Sequence, residues 1–425
     1  MSSWVPLISD TDPLAARAWD AIHAISESIL KRDYGERRPP LYEEALLFGY
    51  LAKAKNDQHW LELAVDRLNE AIEAAAPTTY CGLFGGLCGL GWTVDHLSQS
   101  LSESIPSDDS IEPADEQSGG SDVNGDIDTL LLRELQRGRW NGPLDLIGGL
   151  VGFGIYFLER LPAEKASLGV ELLVYHLDKA AEQSGNQITW HTPPELLPPW
   201  QVVKSPDGLY HLGLAHGVPG ILNFLSLANA AGIERDKTKR LLTGGMAWLI
   251  AQERPAGARS RFSSIAGDSA DTPLVWCHGD PGIMAVLQQI AKRSCRQDWS
   301  DFANRIADSC LARSTDSLVM NDAHLCHGYA GIAHIFNRIH QGNEDSRFRA
   351  AALRCYEKVL EARQPAGGVG GFFTAKTPDP QTSAVVEAEP AFLDGAIGIA
   401  LALLAAVTPV EPVWDRLLLL SGREA

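Results

Sequence analysis

The sequence predicts an all-α fold built from repeated helical hairpins, and three observations support this prediction. A glycine signature recurs along most of the chain. Each copy leads into an apolar stretch that favours helix, and amphipathic stretches with apolar residues three and four positions apart lie between the copies. Alternating apolar and polar runs, which are typical of strands, are sparse. With 425 residues, 45% of them apolar, the chain can bury a large core.

The repeated signature is Gly-x-x-Gly followed by a large apolar residue. Its six copies begin at Gly86, Gly149, Gly217, Gly279, Gly328 and Gly395, and Gly49 is a candidate degenerate copy before them. Successive copies are 49 to 68 residues apart, which leaves room for two average helices and their connections. We expect an inner helix to begin at each glycine frame, with its first backbone N–H groups exposed.

Inner and outer helices are expected to alternate in chain order. Apolar stretches that follow the glycines occupy residues 221–232, 283–293, 332–341 and 399–407, and amphipathic stretches between copies occupy residues 301–314 and 347–363. Such hairpins form either an open solenoid or a closed α/α toroid, in which the glycine-marked ends meet at one end of the barrel. We expect one domain over residues 1–425, interrupted at 102–128 by an acidic, polar insertion that is flexible.

Composition and charge exclude several classes of protein. The chain carries 36 basic and 54 acidic residues, a formal charge of −18, which argues against binding to the phosphate backbone of nucleic acids. No apolar run is long enough to span a bilayer, and no basic segment followed by an apolar one marks a secretion signal, so a cytoplasmic protein is expected. The seven cysteines are an odd number, which favours free thiols or metal ligands over a disulfide framework.

The residues just before the glycines carry the strongest chemical signal. His216, His278 and His327 each precede the first glycine of a frame, and Cys277 and Cys326 stand two residues before it. In a closed ring these positions converge although they are far apart in sequence. Two thiolates and one imidazole fit a single Zn²⁺ ion, with the fourth tetrahedral position open for water or substrate. The alignment alone leaves open which histidine supplies the imidazole.

These same runs resemble a known family. The relevant segments are WCHGDPG at 276–282, LCHGYAG at 325–331, LAHGVPG at 214–220 and DLIGGLVGFG at 145–154. They are similar to the motifs of the lanthionine synthetase C family, the LanC-type lantibiotic cyclases. The resemblance extends from the frame at Gly86 to Gly398. It implies an α/α toroid of about seven inner and about seven outer helices with zinc at one end.

The resemblance also implies roles for individual residues. By motif matching, Cys277, Cys326 and His327 would be the zinc ligands. His216 would be the acid/base residue of the site, and Asp145 would match the active-site aspartate of the family.

The sequence departs from the family pattern at three places. Pro273 stands where cyclases often have an arginine, four residues before the cysteine, and neither Arg259 nor Arg261 can be assigned that role. His278 follows Cys277, where tyrosine is frequent. Residues 93–140 are too short and too acidic for the small β-rich domain that some relatives insert, so peptide-guiding contacts of that kind are not expected.

The family's reaction adds a peptide cysteine thiol to dehydroalanine or dehydrobutyrine and closes a thioether ring. We therefore expect a stand-alone zinc-dependent lanthipeptide cyclase whose partners are a dehydrated precursor peptide, a separate dehydratase and an exporter. Nucleotide is not needed, and no Walker-type or dinucleotide glycine motif is present. The alternatives are addition of glutathione or another thiol to dehydroamino acids, a prenyltransferase-like zinc barrel, and a non-catalytic toroidal scaffold that holds a peptide.

Overall fold

The computed structural model describes residues 4–31, 39–76, 79–102, 124–314, 322–376 and 385–423. Within them, seven inner helices line the ring: α2 (Leu41–Lys55), α4 (Leu87–Ser102), α6 (Leu150–Glu159), α9 (Val218–Ala230), α11 (Asp280–Ser294), α13 (Tyr329–Asn343) and α15 (Ala396–Val407). Seven outer helices cover them: α1 (Pro13–Lys31), α3 (Gln58–Ala74), α5 (Gly125–Gln136), α7 (Glu164–Ala180), α10 (Arg235–Ala251), α12 (Gln297–Ser314) and α14 (Ser346–Glu361).

Smaller elements connect these helices. They are the short helix α8 (Pro199–Lys204), the 3₁₀ helices Pro194–Leu196 and Val413–Leu418, and the strands β1 (Ala181–Ser184), β2 (Gln187–Trp190), β3 (Thr374–Lys376) and β4 (Val385–Glu387). β1 pairs with β2 and β3 pairs with β4, in two separate antiparallel hairpins. None of the described helices combines the length and the apolar character needed to cross a bilayer.

The inner helices form a closed ring. Each inner helix packs against the next one in chain order, and α15 packs against α2. The outer helices α3, α7, α10, α12 and α14 each pack on the inner helix that precedes them, α5 packs against α4 and α7, and α1 packs against α15. The predicted α/α toroid of seven inner and seven outer helices is therefore confirmed.

Burial explains why the inner helices contain apolar stretches and the outer helices are amphipathic. Every residue of α15 is buried, as expected for an inner helix with neighbours on all sides. In α14 the buried positions recur at helical spacing, with Phe348, Ala351 and Cys355 on the face turned to α13 and charged residues elsewhere. Cys355 and Cys310 lie in the core, whereas Cys295 is exposed at the end of α11.

Each glycine frame lets the preceding loop fold back on the start of its helix. The first glycine has an extended backbone, as at Gly279, where φ is −119° and ψ is 170°. A Cβ on Gly282 would lie 2.0 Å from the carbonyl oxygen of Trp276, and a Cβ on Gly279 would lie 2.4 Å from that of Pro273. The frames therefore need glycine because loop backbone occupies the space of a side chain.

The loops also cap the inner helices, contrary to the expectation that the first N–H groups are exposed. A carbonyl seven residues upstream accepts a hydrogen bond from the first helical N–H in several repeats, as in the pairs Leu150–Pro143 (3.2 Å), Val218–His211 (3.2 Å), Tyr329–Asp322 (3.0 Å) and Ala396–Glu389 (3.0 Å). These helix starts are therefore satisfied within the chain.

Two details of the sequence prediction are wrong. Gly49 lies inside α2, and that helix begins at Leu41 after Pro40 rather than at a glycine frame. Residues 125–128, the end of the predicted flexible insertion at 102–128, form the start of α5, where Ile127 and Asp128 are buried. Residues 103–123 of the insertion lie outside the described residues.

Backbone hydrogen bonds join the loops before successive inner helices, and we call this side of the ring the loop end. The donor and acceptor pairs are Leu83–Ile147 (3.0 Å), Leu146–Ala215 (2.9 Å), Ala215–Cys277 (3.0 Å), Cys277–Cys326 (3.4 Å) and Cys326–Leu393 (3.0 Å). The backbone N–H of Phe392 donates to Glu43 Oε2 at 2.8 Å, which links the last frame to α2. The loop end is thus a continuous scaffold for side chains.

The ring interior is filled by residues 413–423, the C-terminal segment. Its polar contacts reach several inner helices: Trp414 N to Tyr50 Oη (2.9 Å), Arg416 to Glu159 (3.0 Å), Asn223 Nδ2 to Leu419 O (3.1 Å), Gln289 Nε2 to Leu419 O (2.8 Å) and His334 Nε2 to Asp415 Oδ2 (2.9 Å). Trp276, next to Cys277, also donates through Nε1 to Leu418 O at 3.0 Å. The segment therefore connects the loop end to the interior of the ring.

Candidate metal and catalytic site

The loop end brings together three side chains that the sequence aligns. The ligand atoms of Cys277, Cys326 and His327 all lie within 4.8 Å of one another. The two cysteines sit on neighbouring loops whose backbones are joined by the Cys277–Cys326 hydrogen bond. Cys277 is buried, Cys326 is partly buried, and the His327 side chain is 42% exposed, so the group is reached from solvent on one side.

The two thiols of this group are not equivalent. The Cys326 thiol donates a hydrogen bond to Cys277, and contacts with His278 and His327 act in the same direction, so the pKa of Cys277 lies well below its ordinary value despite burial. The pKa of Cys326 is raised, because that sulfur donates to Cys277 and is buried. Two cysteine sulfurs and one imidazole are the donors that zinc prefers, and Cys277 already favours the thiolate, so the group fits Zn²⁺.

His278 stands apart from this group. Its Nδ1 lies 2.9 Å from the Sγ atom of Cys277, and its ring is not among the three that share the candidate metal position. His278 therefore contacts a candidate ligand, and His327 is the histidine placed with both cysteines.

His216 and Asp145 form a pair on the loops beside Cys277. His216 Nδ1 lies 2.6 Å from Asp145 Oδ2, and the backbone N–H of Gly148 donates to Asp145 Oδ1 at 3.0 Å. Half of the His216 side chain is exposed. Burial lowers the pKa of His216, but the hydrogen bond to Asp145 and the negative charges of Asp145 and Cys277 outweigh burial and leave the pKa raised. The pair therefore favours the protonated form of an accessible imidazole.

The structure adds residues near the site that the sequence analysis did not assign. Asp394 precedes Gly395 at the frame position of His327, and its Oδ1 lies 4.0 Å from His327 Nδ1. The ring of His324 packs edge-on against that of His327, with centroids 4.3 Å apart. Asp394 could have been found by aligning the glycine frames, because it stands directly before the first glycine. His324 has no such aligned position, so the alignment could not have identified it.

Tyr80 is a further side chain at the loop end. It is 55% exposed, and a Cβ on Gly148 would lie 1.7 Å from its hydroxyl oxygen, so the phenol rests directly on that glycine. Burial and the nearby Asp145 raise the pKa of Tyr80.

Arg261, one of the two arginines that the sequence offers near Pro273, is held by acidic groups. The guanidinium of Arg261 pairs with Glu253, and its backbone N–H donates to Asp280 at 2.8 Å. Arg313 also binds Asp280, at 2.8 Å. These contacts hold both arginine side chains on the structure around α11.

Comparison with known proteins agrees with this architecture. Among solved structures, nisin cyclase is 18% identical and superposes with a TM-score of 0.70 over 94% of this chain and 97% of nisin cyclase. At this identity the likeness shows the fold. Glutathione S-transferase LANCL1 from Danio rerio is 27% identical over 138 residues, which is 32% of this chain and 32% of that protein. The match thus spans about a third of the relative's length.

The family is shown by a longer match. A family model described as lanthionine synthetase C-like protein matches residues 44–419. This range includes every glycine frame and all five of the site residues that the sequence analysis named. The chain therefore belongs to the lanthionine synthetase C-like family.

Proposed function

We propose that this protein is a zinc-dependent lanthipeptide cyclase that forms lanthionine and methyllanthionine rings. The observation that carries the proposal is the placement of Cys277, Cys326 and His327 within 4.8 Å of one another, on loops hydrogen-bonded to the loop that bears His216. A thiol-binding metal group beside a proton-holding imidazole is what addition of a thiol to a dehydroamino acid requires. Membership of the family supports the same chemistry.

The proposed reaction is balanced without a redox partner. The S–H bond of a peptide cysteine breaks and the Cα=Cβ double bond of dehydroalanine or dehydrobutyrine becomes a single bond, while an S–C bond forms at the β-carbon and a proton adds to the α-carbon. Cys277, Cys326 and His327 would hold the zinc ion. When bound, zinc lowers the pKa of a thiol and so supplies a thiolate at neutral pH.

His216 would be the acid that protonates the α-carbon. Asp145 holds its Nδ1, which leaves Nε2 as the nitrogen directed elsewhere, and the half-exposed ring can meet a bound peptide. The thiol proton, released to solvent, restores the protonated imidazole for the next cycle. Asp145 acts through His216 and is a positioning residue.

The substrate proposed here is a precursor peptide whose serines and threonines a separate dehydratase has already converted. The reaction needs those dehydroamino acids, and the loop-end groups described above offer no activation for a hydroxyl leaving group. An exporter that receives the cyclised peptide is a further proposed partner.

Two variants test the site roles. Cys326→Ala should lose both zinc and cyclisation, because one thiolate ligand is removed, whereas His216→Ala should keep zinc and slow ring closure by a factor of about 10²–10⁴. Zinc content and the mass of thiol-blocked product are measured for each. Cys295→Ala and His59→Ala, which change exposed residues away from the loop end, are the matched controls. Full cyclisation by zinc-free protein would refute the proposal.

The similarity to a LANCL1 protein favours a second candidate, addition of glutathione to dehydroamino acids. The same thiolate and proton chemistry would serve it with an external thiol. Incubation of a dehydrated peptide that contains cysteine with and without glutathione separates the two. A ring with no mass gain indicates cyclisation, and a mass gain of one glutathione indicates external addition.

A further inference from the structure

A second set of polar side chains lies beside the group formed by Cys277, Cys326 and His327. The proposed reaction does not use this second set. The ligand atoms of Asp322, His324 and His327 all lie within 4.8 Å of one another. His327 belongs to both sets. Since an imidazole has two ring nitrogens, it can bind a different ion through each of them.

The side-chain distances in and beside this second set are longer than ordinary hydrogen bonds, and His324 Nδ1 accepts a hydrogen bond from the backbone N–H of His327 at 3.5 Å. His324 Nε2 lies 3.6 Å from Asp322 Oδ2, and His324 Nδ1 lies 3.9 Å from Asp394 Oδ1. Hydrogen bonds between nitrogen and oxygen are usually 2.7–3.2 Å long. At these distances the side chains leave room for a ligand between them.

Two atoms of this cluster are buried without a hydrogen-bond partner in the described structure, His324 Nε2 and Asp394 Oδ1. The His324 residue is only 1% exposed. Leaving such a buried atom unsatisfied destabilises the fold, so a bound species that contacts Nε2 would offset that penalty. The Asp322 carboxylate is held in position, because its Oδ1 accepts a hydrogen bond from Ala375 N in β3 at 3.1 Å.

Charge favours a cation over a water molecule. Two thiolates neutralise a Zn²⁺ ion on Cys277 and Cys326, so the carboxylates of Asp322 and Asp394 are additional negative charge next to a neutral centre. Among the described side chains, the ion-pair partners recorded for these two carboxylates are the histidines of the same cluster. A second divalent cation would balance both carboxylates, whereas water would balance neither.

We propose that Asp322, His324 and His327 form a second divalent-cation site, joined to the Cys277–Cys326–His327 site through the imidazole of His327. Imidazole and carboxylate ligands suit Zn²⁺ and Co²⁺. Bridging requires the His327 ring to release its N–H proton to solvent as the second ion binds. The inference rests on the proposed function only in that the thiolate site holds the first ion.

Titration of the metal-free protein with Co²⁺ tests the proposal, because the two sites differ in colour. Binding to the cysteines produces thiolate-to-cobalt charge-transfer absorption, which a site of nitrogen and oxygen ligands lacks. In the unaltered protein we expect the charge-transfer band to saturate at one equivalent and the ligand-field bands to keep rising to two. Competition with a chelator and metal analysis give the bound stoichiometry independently.

Variants locate the second ion. His324→Gln and Asp322→Asn should each bind one equivalent of Co²⁺ and retain the charge-transfer band, while His340→Gln, at the far end of α13, should bind two. Circular dichroism melting shows that each variant is folded, and two different substitutions guard against one of them failing to fold. Saturation of the unaltered protein at one equivalent, or two ions bound to both His324→Gln and Asp322→Asn, overturns the inference. Loss of the charge-transfer band from the unaltered protein would instead overturn the proposed zinc site.

Discussion

The carboxylate of Asp145 uses both of its oxygens, and its contact with His216 raises the pKa of that imidazole. Oδ1 accepts from the backbone of its own frame loop and Oδ2 contacts His216 Nδ1. The loop therefore fixes the carboxylate, and the carboxylate fixes the ring. Because the raised pKa of His216 depends on this pair, the supply of the acidic imidazole has a definite dependence on pH.

We predict that Asp145→Asn moves the pH dependence of cyclisation to lower pH. Asparagine keeps an acceptor for His216 but removes the negative charge, so the pKa of His216 falls. A raised pKa keeps the imidazole protonated to higher pH, so activity that needs the acid form declines as pH rises through that pKa, and in the variant it should decline earlier. The rate of ring closure against pH measures this, with Asp308→Asn, an exposed aspartate of α12, as the control. An alkaline limb identical to that of the unaltered protein would contradict the prediction.

Sequence alignment of the frames predicted which residues meet at the loop end but not how they contact. Cys277 and Cys326 occupy the same position in two successive frames and His327 the position next to it, and the closed ring brings these two frames together. His324 lies outside the aligned positions. It contacts His327 because the loop that carries both residues bends. The same loop is linked to β3 by the hydrogen bond from Ala375 N to Asp322 Oδ1, a contact that no residue pattern in the frame encodes.

At the scale of single elements, the glycine frame is the feature that positions the site. Its two glycines admit the backbone of the preceding loop, and that loop carries the chemical side chains. In the frame of α11, the loop residue that Gly282 touches is Trp276, immediately before Cys277. A side chain on Gly282 therefore acts directly on the position of a candidate metal ligand.

We predict that Gly282→Ala lowers the free energy of unfolding by about 1–3 kcal/mol and weakens zinc binding, because a Cβ would lie 2.0 Å from a backbone oxygen that must move. Gly342→Ala in α13 is the matched control, since a Cβ there meets nothing within 4 Å. It should raise stability by about 0.5–1 kcal/mol and leave zinc binding unchanged. Chemical denaturation and zinc competition measure both effects. Equal stability of the two variants would show that the frame tolerates a side chain.

The order of inner and outer helices was predictable from hydrophobic periodicity, but two element boundaries were not. The sequence offered Gly49 as a frame because an apolar stretch surrounds it, yet α2 begins eight residues earlier, at Leu41, without a glycine. The start of α5 was missed because its sequence is polar, and an aspartate such as Asp128 is usually exposed to solvent. In the structure its carboxylate is buried and receives Arg160 Nη2 at 2.8 Å and Tyr156 Oη at 2.7 Å.

At the scale of the whole molecule, closure of the ring depends on contacts between its first and last inner helices. Glu43 at the start of α2 accepts the N–H of Phe392, in the loop before α15, at 2.8 Å. Burial raises the pKa of Glu43 to about 8 from an ordinary 4.5, and the nearby carboxylates Glu389 and Asp394 add to the effect. The folded ring therefore holds a proton on Glu43 that the unfolded chain has lost at neutral pH.

We predict that Glu43→Gln stabilises the protein at alkaline pH. An acid with a raised folded-state pKa contributes full stability at low pH, and that contribution is lost as pH rises from about 4.5 to about 8. Glutamine keeps the acceptor and does not ionise. The variant should therefore match the unaltered protein near pH 4.5 and exceed it at pH 9 by up to a few kcal/mol, since a tenfold change in proton affinity corresponds to about 1.4 kcal/mol. Denaturant unfolding at the two pH values measures the difference, and an equal difference at both would contradict the assignment.

Residue patterns alone left the choice between an open solenoid and a closed ring undecided. Closure depends on a small rotation between successive hairpins that accumulates over seven repeats, and no single repeat reveals it. The family resemblance supplied the closed form. In the structure, α15 packs against α2 and α1, and this contact closes the ring.

The C-terminal segment has a consequence for the order in which the protein is made. Its residues satisfy polar groups on helices from α2 to α13, including the buried pair of His334 with Asp415. These residues follow all seven inner helices in the sequence, so they leave the ribosome after every helix that they join. A nascent chain that has reached α13 must hold an unfilled interior and an unclosed ring. Folding to the native state therefore waits until residues 413–423 have been synthesised, because the ring is assembled around them.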